Sequence, residues 1–510
     1  MVVWGLLAVL LSVGGAFAEI KLPAIIGDNM VLQQGQKVAV WGWAEADEEV
    51  MVSVSWHSMQ WGVKADKEGR WQFKMNSPKV GGPYEMTLTG KNTIRIKNIL
   101  VGEVWVGSGQ SNMQMSVQGS ANSKEEIAAA KYPKIRLFSV QREVADRPKL
   151  DCVGSWVECS PETVPGFSAV AYYFGRELRK ELDVPVGLIH TSWGGTPAEA
   201  WTKRDMLETD EDFAPILKRF DDAMAKYPQA KAEYDKKVEQ WKEAAKKAKE
   251  EGKPAPRRPR APFGPGNPHS PAGLYNAMIA PLIPYGIQGA IWYQGESNAG
   301  RAYQYRELFP AMIRSWRSNW GQGDFPFLFV QLANFMAVKE EPVDSAWAEL
   351  REAQLRTLAL ANTGMAVIID IGEAKDIHPK NKQDVGKRLA AWAMGTTYGR
   401  KTIYSGPLYK AMKVDGNKVV LTFNHVGGGL AARGEGPLKG FSVAGADKQF
   451  VWADAKIEGD TVVVISDKVA APVAVRYAWA DNPVCNFYNA EGLPASPFRT
   501  DDWPGVTVDA

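Results

Sequence analysis

The sequence has few cysteines and histidines and almost no excess of either charge. Its 510 residues include three Cys and five His, and 60 basic side chains against 58 acidic ones leave a net charge of +2. This balance argues against nucleic acid or a membrane surface as a partner. No Cys/His spacing resembles a metal site, and three cysteines fit a protein that does not depend on a disulfide framework. Cys152 and Cys159 are close enough in sequence to bridge a loop, with three reduced thiols as the alternative.

Long apolar runs are also scarce. The run MVVWGLLAVLLSVGGAFA at residues 1–18 ends in a small-x-small pattern and predicts a secretory signal cleaved before Glu19, although no Lys or Arg precedes Lys21. We therefore expect a secreted or periplasmic protein. The run is shorter than the ~20 residues that span a bilayer, and no later segment reaches that length without charges, so stable membrane insertion is not expected.

What the chain has instead is a pattern that changes along its length. A chain of 510 residues is too long for one ordinary core. Residues 19–98 and 406–510 read as β-rich, sandwich-like domains. Between them, residues 99–405 alternate apolar strand-like runs with amphipathic stretches, which predicts an α/β domain with a parallel sheet flanked by helices. Residues 205–270 carry a narrow apolar seam and a proline-rich basic loop and predict a helical insertion.

Four polar loops follow strand-like runs of the predicted α/β domain. They are GQSN at 109–112, WGGT at 193–196, QGESN at 294–298 and DIHP at 376–379. Loops at the carboxyl ends of parallel strands meet at one edge of a sheet. Ester hydrolysis needs a nucleophile, a base, a group that orients the base and donors for the oxyanion. Ser111 is a candidate nucleophile, His378 a candidate base and Asp376 a candidate orienting group.

The loops together resemble the sequence blocks of the sialate O-acetylesterases, a branch of the SGNH (GDSL-like) hydrolase superfamily. GSGQSNM is similar to the family's serine block, SWGGTPAEAW to its glycine block, WYQGESNA to its third block and DIHPKNKQDVGKRLA to its histidine block. LREAQ at 350–354 and GLPASPFRTD at 492–501 also look like this family. The resemblance covers nearly all of residues 19–505 and implies an SGNH-type, three-layer α/β fold.

The resemblance also implies a role for each block. Ser111 matches the nucleophile and His378 the base. The implied oxyanion donors are the backbone N–H of Ser111, the glycine block and the third block. Within the glycine block we favour Gly195 over Gly194, because it sits at the turn before Thr196.

Two blocks depart from the superfamily pattern. Many members place Asp three residues before the His, and here that position is Lys375. Asp376 is then the nearest carboxylate to His378, and Asp370 is the alternative.

In the third block, the usual Gly-x-Asn-Asp is replaced by Gly-Glu-Ser-Asn at 295–298. The Asn moves by one position, so that either Asn298 or Gln294 supplies the amide donor. We assign Gln110 and Glu296 to substrate binding, with positioning of the loop as the alternative for Glu296.

These residues lead to an exported serine esterase that removes O-acetyl groups from a carbohydrate, with no metal or organic cofactor. Sialic acid is the substrate that the resemblance implies, and acetylated xylan or another plant polysaccharide is the alternative. A carbohydrate-binding protein with a degenerate esterase core is the alternative from another class. The sequence leaves the oligomeric state open.

Other conspicuous residues are interpreted as structural. His190 lies inside the strand-like run VGLIHTSW, where a buried core histidine is the ordinary case. Trp201, Trp292 and Tyr293 flank the blocks, and packing is favoured over stacking on a sugar.

Overall fold

The computed structural model of the protein describes residues 19–509. The predicted signal segment at 1–18 lies outside the described residues. No helix in the described part is long and apolar enough to cross a bilayer.

The N-terminal region is built from short antiparallel strands that lead into one long strand. Its strands are β1 Val31–Gln33, β2 Lys37–Trp43, β3 Glu49–Val54, β4 His57–Lys64, β5 Arg70–Asn76, β6 Gly81–Thr89 and β7 Thr93–Gly109. Strands β2 and β5 form one pair, while β4, β3, β6 and β7 pair in that order. Strand β7 runs without a break across residue 98, where the sequence suggested a domain boundary.

Strand β7 then becomes the centre of the α/β sheet. The further strands are β8 Tyr132–Ser139, β9 Trp156–Cys159, β10 Val186–Ser192, β11 Gly289–Tyr293, β12 Phe327–Val330 and β13 Thr363–Ala366. The order is β13-β12-β11-β7-β10-β8-β9. All neighbours are parallel except β9, which pairs antiparallel with β8. The sheet is therefore mixed, and the antiparallel edge was not anticipated from the sequence.

Helices connect the strands of this sheet. They are α1 Ser111–Gln114, α2 Ser123–Ala129, α3 Ala169–Leu182, α4 Arg204–Glu208, α5 Ala214–Glu250, α6 Ala302–Trp320, α7 Ala346–Arg356 and α8 Lys382–Trp392. The bounds of α3 coincide with the amphipathic stretch AVAYYFGRELRKEL.

Both faces of the sheet are buried. On one face Trp105 of β7 meets Phe174 of α3, with ring centroids 5.0 Å apart. On the other, Trp292 of β11 stacks on Phe309 of α6. A parallel strand covered on both faces must be apolar at successive positions, which is why these strands read as continuous hydrophobic runs.

Residues 205–270, where the sequence predicts an insertion, are dominated by α5, a 37-residue helix that is mostly exposed. The proline-rich loop that follows returns along the helix. Trp241 Nε1 donates to the carbonyl of Pro256 at 2.7 Å, and Phe220 meets Phe263 edge to face. The side chains of Arg257, Arg258 and Arg260 in this loop are exposed.

The C-terminal region is again β structure. Its strands are β14 Leu408–Asp415, β15 Lys418–Asn424, β16 Leu430–Ala432, β17 Phe441–Ala444, β18 Val451–Trp452, β19 Asp454–Glu458, β20 Thr461–Ile465, β21 Ala474–Tyr477, β22 Phe487–Asn489 and β23 Phe498–Arg499. Two four-stranded sheets share a core that includes Leu421, Phe441 and Tyr477.

The three cysteines are free thiols. Cys152 and Cys159 are buried in different hydrophobic clusters, so they do not bridge the loop between them. Burial raises the pKa of each of these two thiols to about 12. The alternative of reduced, buried thiols is the correct one.

Candidate active site

Three strands of the sheet end at the same level. In register, Gly109 of β7 lies between Ser192 of β10 and Tyr293 of β11. The serine, glycine and third blocks follow these ends directly and therefore share one edge of the sheet.

Ser111 is presented by a sharp turn at the end of β7. Gly109 has φ +138°, and a Cβ atom there would lie 2.1 Å from the carbonyl oxygen of Tyr293. Only glycine allows the backbone to approach β11 so closely in this conformation. Ser111 is the first residue of α1, and its backbone N–H has no hydrogen-bond acceptor within residues 19–509. This N–H is therefore available to a ligand at the helix start.

His378 lies directly against Ser111. Its Nε2 is 2.8 Å from Ser111 Oγ, a hydrogen bond between a hydroxyl and an imidazole. Asp376 Oδ1 lies 3.5 Å from His378 Nδ1 and also accepts the backbone N–H of His378 at 2.9 Å. The Asp376 and His378 side chains are 44% and 41% exposed. Asp376 thus holds the backbone of His378 and faces its imidazole in a partly solvated setting.

Asp370, the alternative orienting group, is engaged elsewhere. Both of its oxygens accept hydrogen bonds from Arg388, at 2.6 and 2.8 Å, and its side chain is 6% exposed. A buried bidentate pair of this kind fixes the carboxylate in place. The structure therefore brings Asp376, and not Asp370, to the imidazole.

A buried polar network beneath the site was not predicted from the sequence. Asn112 Nδ2 donates to the carbonyl of Ile377 at 3.0 Å and to Glu296 Oε1 at 2.6 Å. Lys382 Nζ donates to Asn112 Oδ1 at 2.5 Å. Asn112 thereby ties the loop that carries His378 to the loop that carries Ser111. Sequence spacing gives no signal for this network, because the partners that Asn112 bonds lie 184 to 270 positions away from it.

The charged members of this network have displaced pKa values. Burial lowers the pKa of Lys382 from 10.5 to about 7, an effect that Glu296, Asp376 and Glu373 only partly offset. Burial likewise raises the pKa of Glu296. Glu296 Oε2 is buried without a hydrogen-bond partner among the described residues.

The glycine block lies beside Ser111. A Cβ atom at Gly194 would sit 3.2 Å from that of Ser111, and the Gly194 N–H donates to Gln114 Oε1 at 2.6 Å. Gly195 has φ +75° and a backbone N–H without an acceptor in the described chain. It borders a neighbouring cavity of about 500 Å³, which the insertion helix also lines.

The amides of the third block are bonded away from Ser111. Gln294 Nε2 donates to the carbonyl of Thr196 and to Asn298 Oδ1, at 3.3 and 2.6 Å. Asn298 accepts the Ala198 N–H and donates to Glu199, both at 2.9 Å. Both amides are fully buried. In this arrangement they hold the part of the glycine block that follows Gly195.

Gln110 and Glu296 are also turned inward. Gln110 is 3% exposed and accepts the Ser297 N–H at 3.2 Å, while the Glu296 carboxylate meets Asn112. Neither residue lines the cavity that contains Ser111. Their hydrogen bonds join the serine block to the third block.

The cavity around Ser111 is open and has a volume of about 1040 Å³. Arg142 and Trp193 form part of its wall, and the guanidinium lies 5.6 Å from the indole centroid. Arg142 makes no ion pair with any carboxylate of the described residues. Neither Arg142 nor Trp193 was singled out from the sequence, because nothing in their local pattern places them over Ser111.

His190 lines the same cavity from β10 but is buried. Burial and the nearby Arg142 lower its pKa to about 4, so its imidazole is neutral near pH 7. Trp201, Trp292 and Tyr293 are fully buried, which confirms their assignment to packing. Within residues 19–509 there is no cluster of three or more His, Cys, Asp or Glu side chains that could hold a metal ion.

Comparison with known proteins identifies the family. The family model "Carbohydrate esterase, sialic acid-specific acetylesterase" matches residues 101–248 and 268–394. The chain is 31% identical to the sialate O-acetylesterase of Rattus norvegicus over 95% of both chains. The chain belongs to this family of carbohydrate esterases. It is also 29% identical to the sialate O-acetylesterase of Homo sapiens, over 95% of this chain and 94% of that one.

A solved structure supports the same assignment for this carbohydrate esterase. The crystal structure of a carbohydrate acetylesterase from Xanthomonas citri is 39% identical and covers 95% of this chain and 100% of its own, with a TM-score of 0.81. The resemblance seen in the sequence blocks is thereby confirmed. The protein is a carboxylic ester hydrolase.

Proposed function

We propose that the protein is an exported serine esterase that removes O-acetyl groups from sialic acid through an acetyl-enzyme on Ser111. The observation that carries the mechanism is the 2.8 Å hydrogen bond between Ser111 Oγ and His378 Nε2 at the end of the sheet's central strand. Export rests on the sequence of residues 1–18 alone. The sheet with helices against both faces supports an SGNH-type, three-layer arrangement.

The first half of the proposed reaction forms the acetyl-enzyme. Ser111 Oγ attacks the acetyl carbonyl as His378 Nε2 accepts its proton, and Asp376 stabilises the imidazolium that forms. The carbonyl oxygen becomes an oxyanion, which the free N–H of Ser111 can bind. Collapse of this intermediate breaks the bond to the sugar oxygen, and His378 returns the proton to that oxygen.

The second half releases acetate. Water attacks the carbonyl carbon of the acetyl-enzyme while His378 accepts a proton from this water. The bond between the acetyl carbon and Ser111 Oγ then breaks, and His378 returns the proton to Ser111 Oγ. We assign the second oxyanion donor to the glycine block. The Gly195 N–H is free, whereas the Gly194 N–H must first be released by Gln114. Gln294 and Asn298 act in this proposal by holding residues 196 and 198.

The choice of an anionic sugar rests on Arg142. Its guanidinium shares the cavity with Ser111 and has no carboxylate partner in the described chain. A guanidinium binds a carboxylate through paired, charge-assisted hydrogen bonds. Sialic acid carries such a carboxylate, whereas the xylose units of acetylated xylan do not. The half-buried Trp193 beside Arg142 offers an apolar face for a sugar ring.

Acetate release from O-acetylated sialic acid and from acetylated xylan, measured side by side, tests this proposal. We expect release from the sialic acid, with a KM that rises at least ~10-fold in Arg142→Ala and with little change on a neutral aryl acetate. Release from xylan alone would refute the sialate assignment and leave the serine mechanism standing. No release from any acetyl ester would favour a binding protein over an enzyme.

A further inference from the structure

The N-terminal β region contains a further cavity of about 770 Å³, which shares no lining residue with the cavity around Ser111. Its walls come from β2, β4, β5 and β6 and include four aromatic side chains: Trp56, Trp61, Phe73 and Tyr84. We call it the β cavity. Nothing in the esterase chemistry described above uses it.

The rings of the β cavity are arranged as two contiguous pairs. Trp56 and Tyr84 meet edge to face with centroids 5.2 Å apart, and Trp61 and Phe73 are tilted at 5.3 Å. All four side chains are half-buried, packing against the hydrophobic core on one side. The core of this region already holds fully buried residues such as Val50, Val52 and Leu88. The rings therefore leave part of their apolar surface open to the cavity.

The β cavity has basic side chains and no acidic ones in its lining. Lys37, Lys74 and Lys79 line it, together with His57, and no Asp or Glu does so. None of these lysines makes an ion pair with a described carboxylate, whereas Lys64 on the neighbouring β4 surface pairs with Asp47 at 2.8 Å. An uncompensated positive field in a concave site attracts an anionic ligand.

We propose that the β cavity binds a carboxylate-bearing sugar unit of a glycan. Aromatic faces and ammonium groups in one concave site suit a ligand with an apolar ring face and a negative charge. Half-buried indole and phenyl rings are also rigid anchors, because packing already restricts their rotamers.

The β cavity lies beside the middle of β7, whereas Ser111 follows the end of this strand. Tyr84 pairs with Ile99 of β7, and the strand runs ten residues further to Gly109, or about 33 Å at ~3.3 Å per residue, before the turn that presents Ser111. A single sugar cannot occupy both sites. The β cavity therefore anchors a separate part of an extended glycan and does not orient the acetyl ester for attack.

Binding of an unacetylated acidic glycan to the full chain tests the proposal without relying on catalysis. The ligands are polygalacturonate and polysialic acid, and methyl-esterified polygalacturonate is the neutral counterpart. We expect calorimetric binding to at least one acidic polymer, weakened by added salt and absent for the ester. Truncation of a half-buried aromatic anchor, Trp61→Ala, should weaken binding at least ~10-fold. Reversal of one charge, Lys74→Glu, should also weaken binding at least ~10-fold, and it leaves both aromatic pairs of the cavity intact.

Lys64→Ala is the matched control, because it removes a lysine of the same region that lies outside the cavity. We expect it to bind like the parent, and all three variants to hydrolyse an aryl acetate at the parent rate. Failure of both acidic polymers to bind would overturn the proposal, as would binding unaffected by Lys74→Glu. If methyl-esterified polygalacturonate bound as tightly as the acidic polymers, the lysines would not select for a negative charge, and the proposal would also be overturned.

Discussion

Asp376→Asn tests how the imidazole of His378 is oriented. The substitution removes the negative charge that lies 3.5 Å from His378 Nδ1. The new amide oxygen can still accept the backbone N–H of His378, so the loop should keep its shape. The loss should therefore appear in kcat, through the wrong tautomer and an unstabilised imidazolium, and not in folding.

The structure sets the size of this effect. Two unit charges 3.5 Å apart attract by about 1 kcal/mol at the dielectric constant of water and by about 5 kcal/mol at an effective value of 20. These limits correspond to losses of roughly 10-fold and roughly 3000-fold. Because both side chains are more than 40% exposed, solvent screening favours the lower part of that range, near 100-fold. A buried triad aspartate costs more, on the order of 10⁴-fold.

The assay is steady-state hydrolysis of an aryl acetate near pH 8, with Glu373→Gln as a control that removes another carboxylate of the same loop. Asp370→Asn is the second comparison. It should lower stability by about 3–5 kcal/mol, since it leaves Arg388 without its buried partner, but it should spare kcat in the folded fraction. An Asp376→Asn variant within twofold of the parent, beside a crippled Asp370→Asn, would refute the assignment.

Three further predictions follow from the same site. Gly109→Ala should lower the free energy of unfolding by at least about 2 kcal/mol, because its Cβ would meet the Tyr293 carbonyl; Gly166→Ala, with open space around the new Cβ, should change the urea midpoint little. Asn112→Ala should lower kcat on an aryl acetate by about 100-fold with a small change in KM, since the His378 loop loses its tie at Ile377; an unchanged kcat would contradict this positioning role. Lys382→Met should change the free energy of unfolding, relative to the parent, most favourably at or below pH 7. Lys382 has a lowered pKa of about 7 in the folded chain against 10.5 unfolded, so its burial penalty is full below pH 7 and fades as pH rises toward 10.5. In urea midpoints measured at pH 6.5, 8 and 9.5, the parent should gain stability relative to the variant as pH rises. A difference between variant and parent that stays constant with pH would contradict the lowered pKa of Lys382.

Local patterns predicted much of the fold. The amphipathic stretch at 169–182 became α3 with the same bounds, and the strand-like runs before the first three polar loops became β7, β10 and β11. The run before the fourth loop became β13, which ends at Ala366, ten residues before Asp376. Periodicity and turn residues are local properties, so a single sequence can reveal them. The four-residue edge strand β9 has no such signal and forms because β8 offers it an open edge.

Only those residues of the candidate site whose roles follow from their own side chain and local sequence could be predicted. Ser111 and His378 stand in distinct polar loops after strands, and the structure brings them together. The competition between Asp376 and Asp370 could not be decided locally, because it depends on Arg388 of α8 holding Asp370. Nothing in the sequence around Lys382 indicates burial, yet tertiary packing buries this side chain completely.

Covalent labelling of Ser111 tests the central claim most directly. The full chain is treated with a serine-reactive phosphonate, and the adduct is measured by intact mass and located by peptide mapping. We expect one adduct on Ser111, formed in step with the loss of aryl acetate hydrolysis and absent from Ser111→Ala, because its hydroxyl faces the partly exposed imidazole of His378 at 2.8 Å in an open cavity. The Ser192 hydroxyl, which lies 2.6 Å from His190 Nε2 in the same cavity, is buried with its imidazole and should stay unlabelled. Full loss of activity with the adduct on another residue, or a Ser111→Ala variant that keeps most of its activity, would contradict the account.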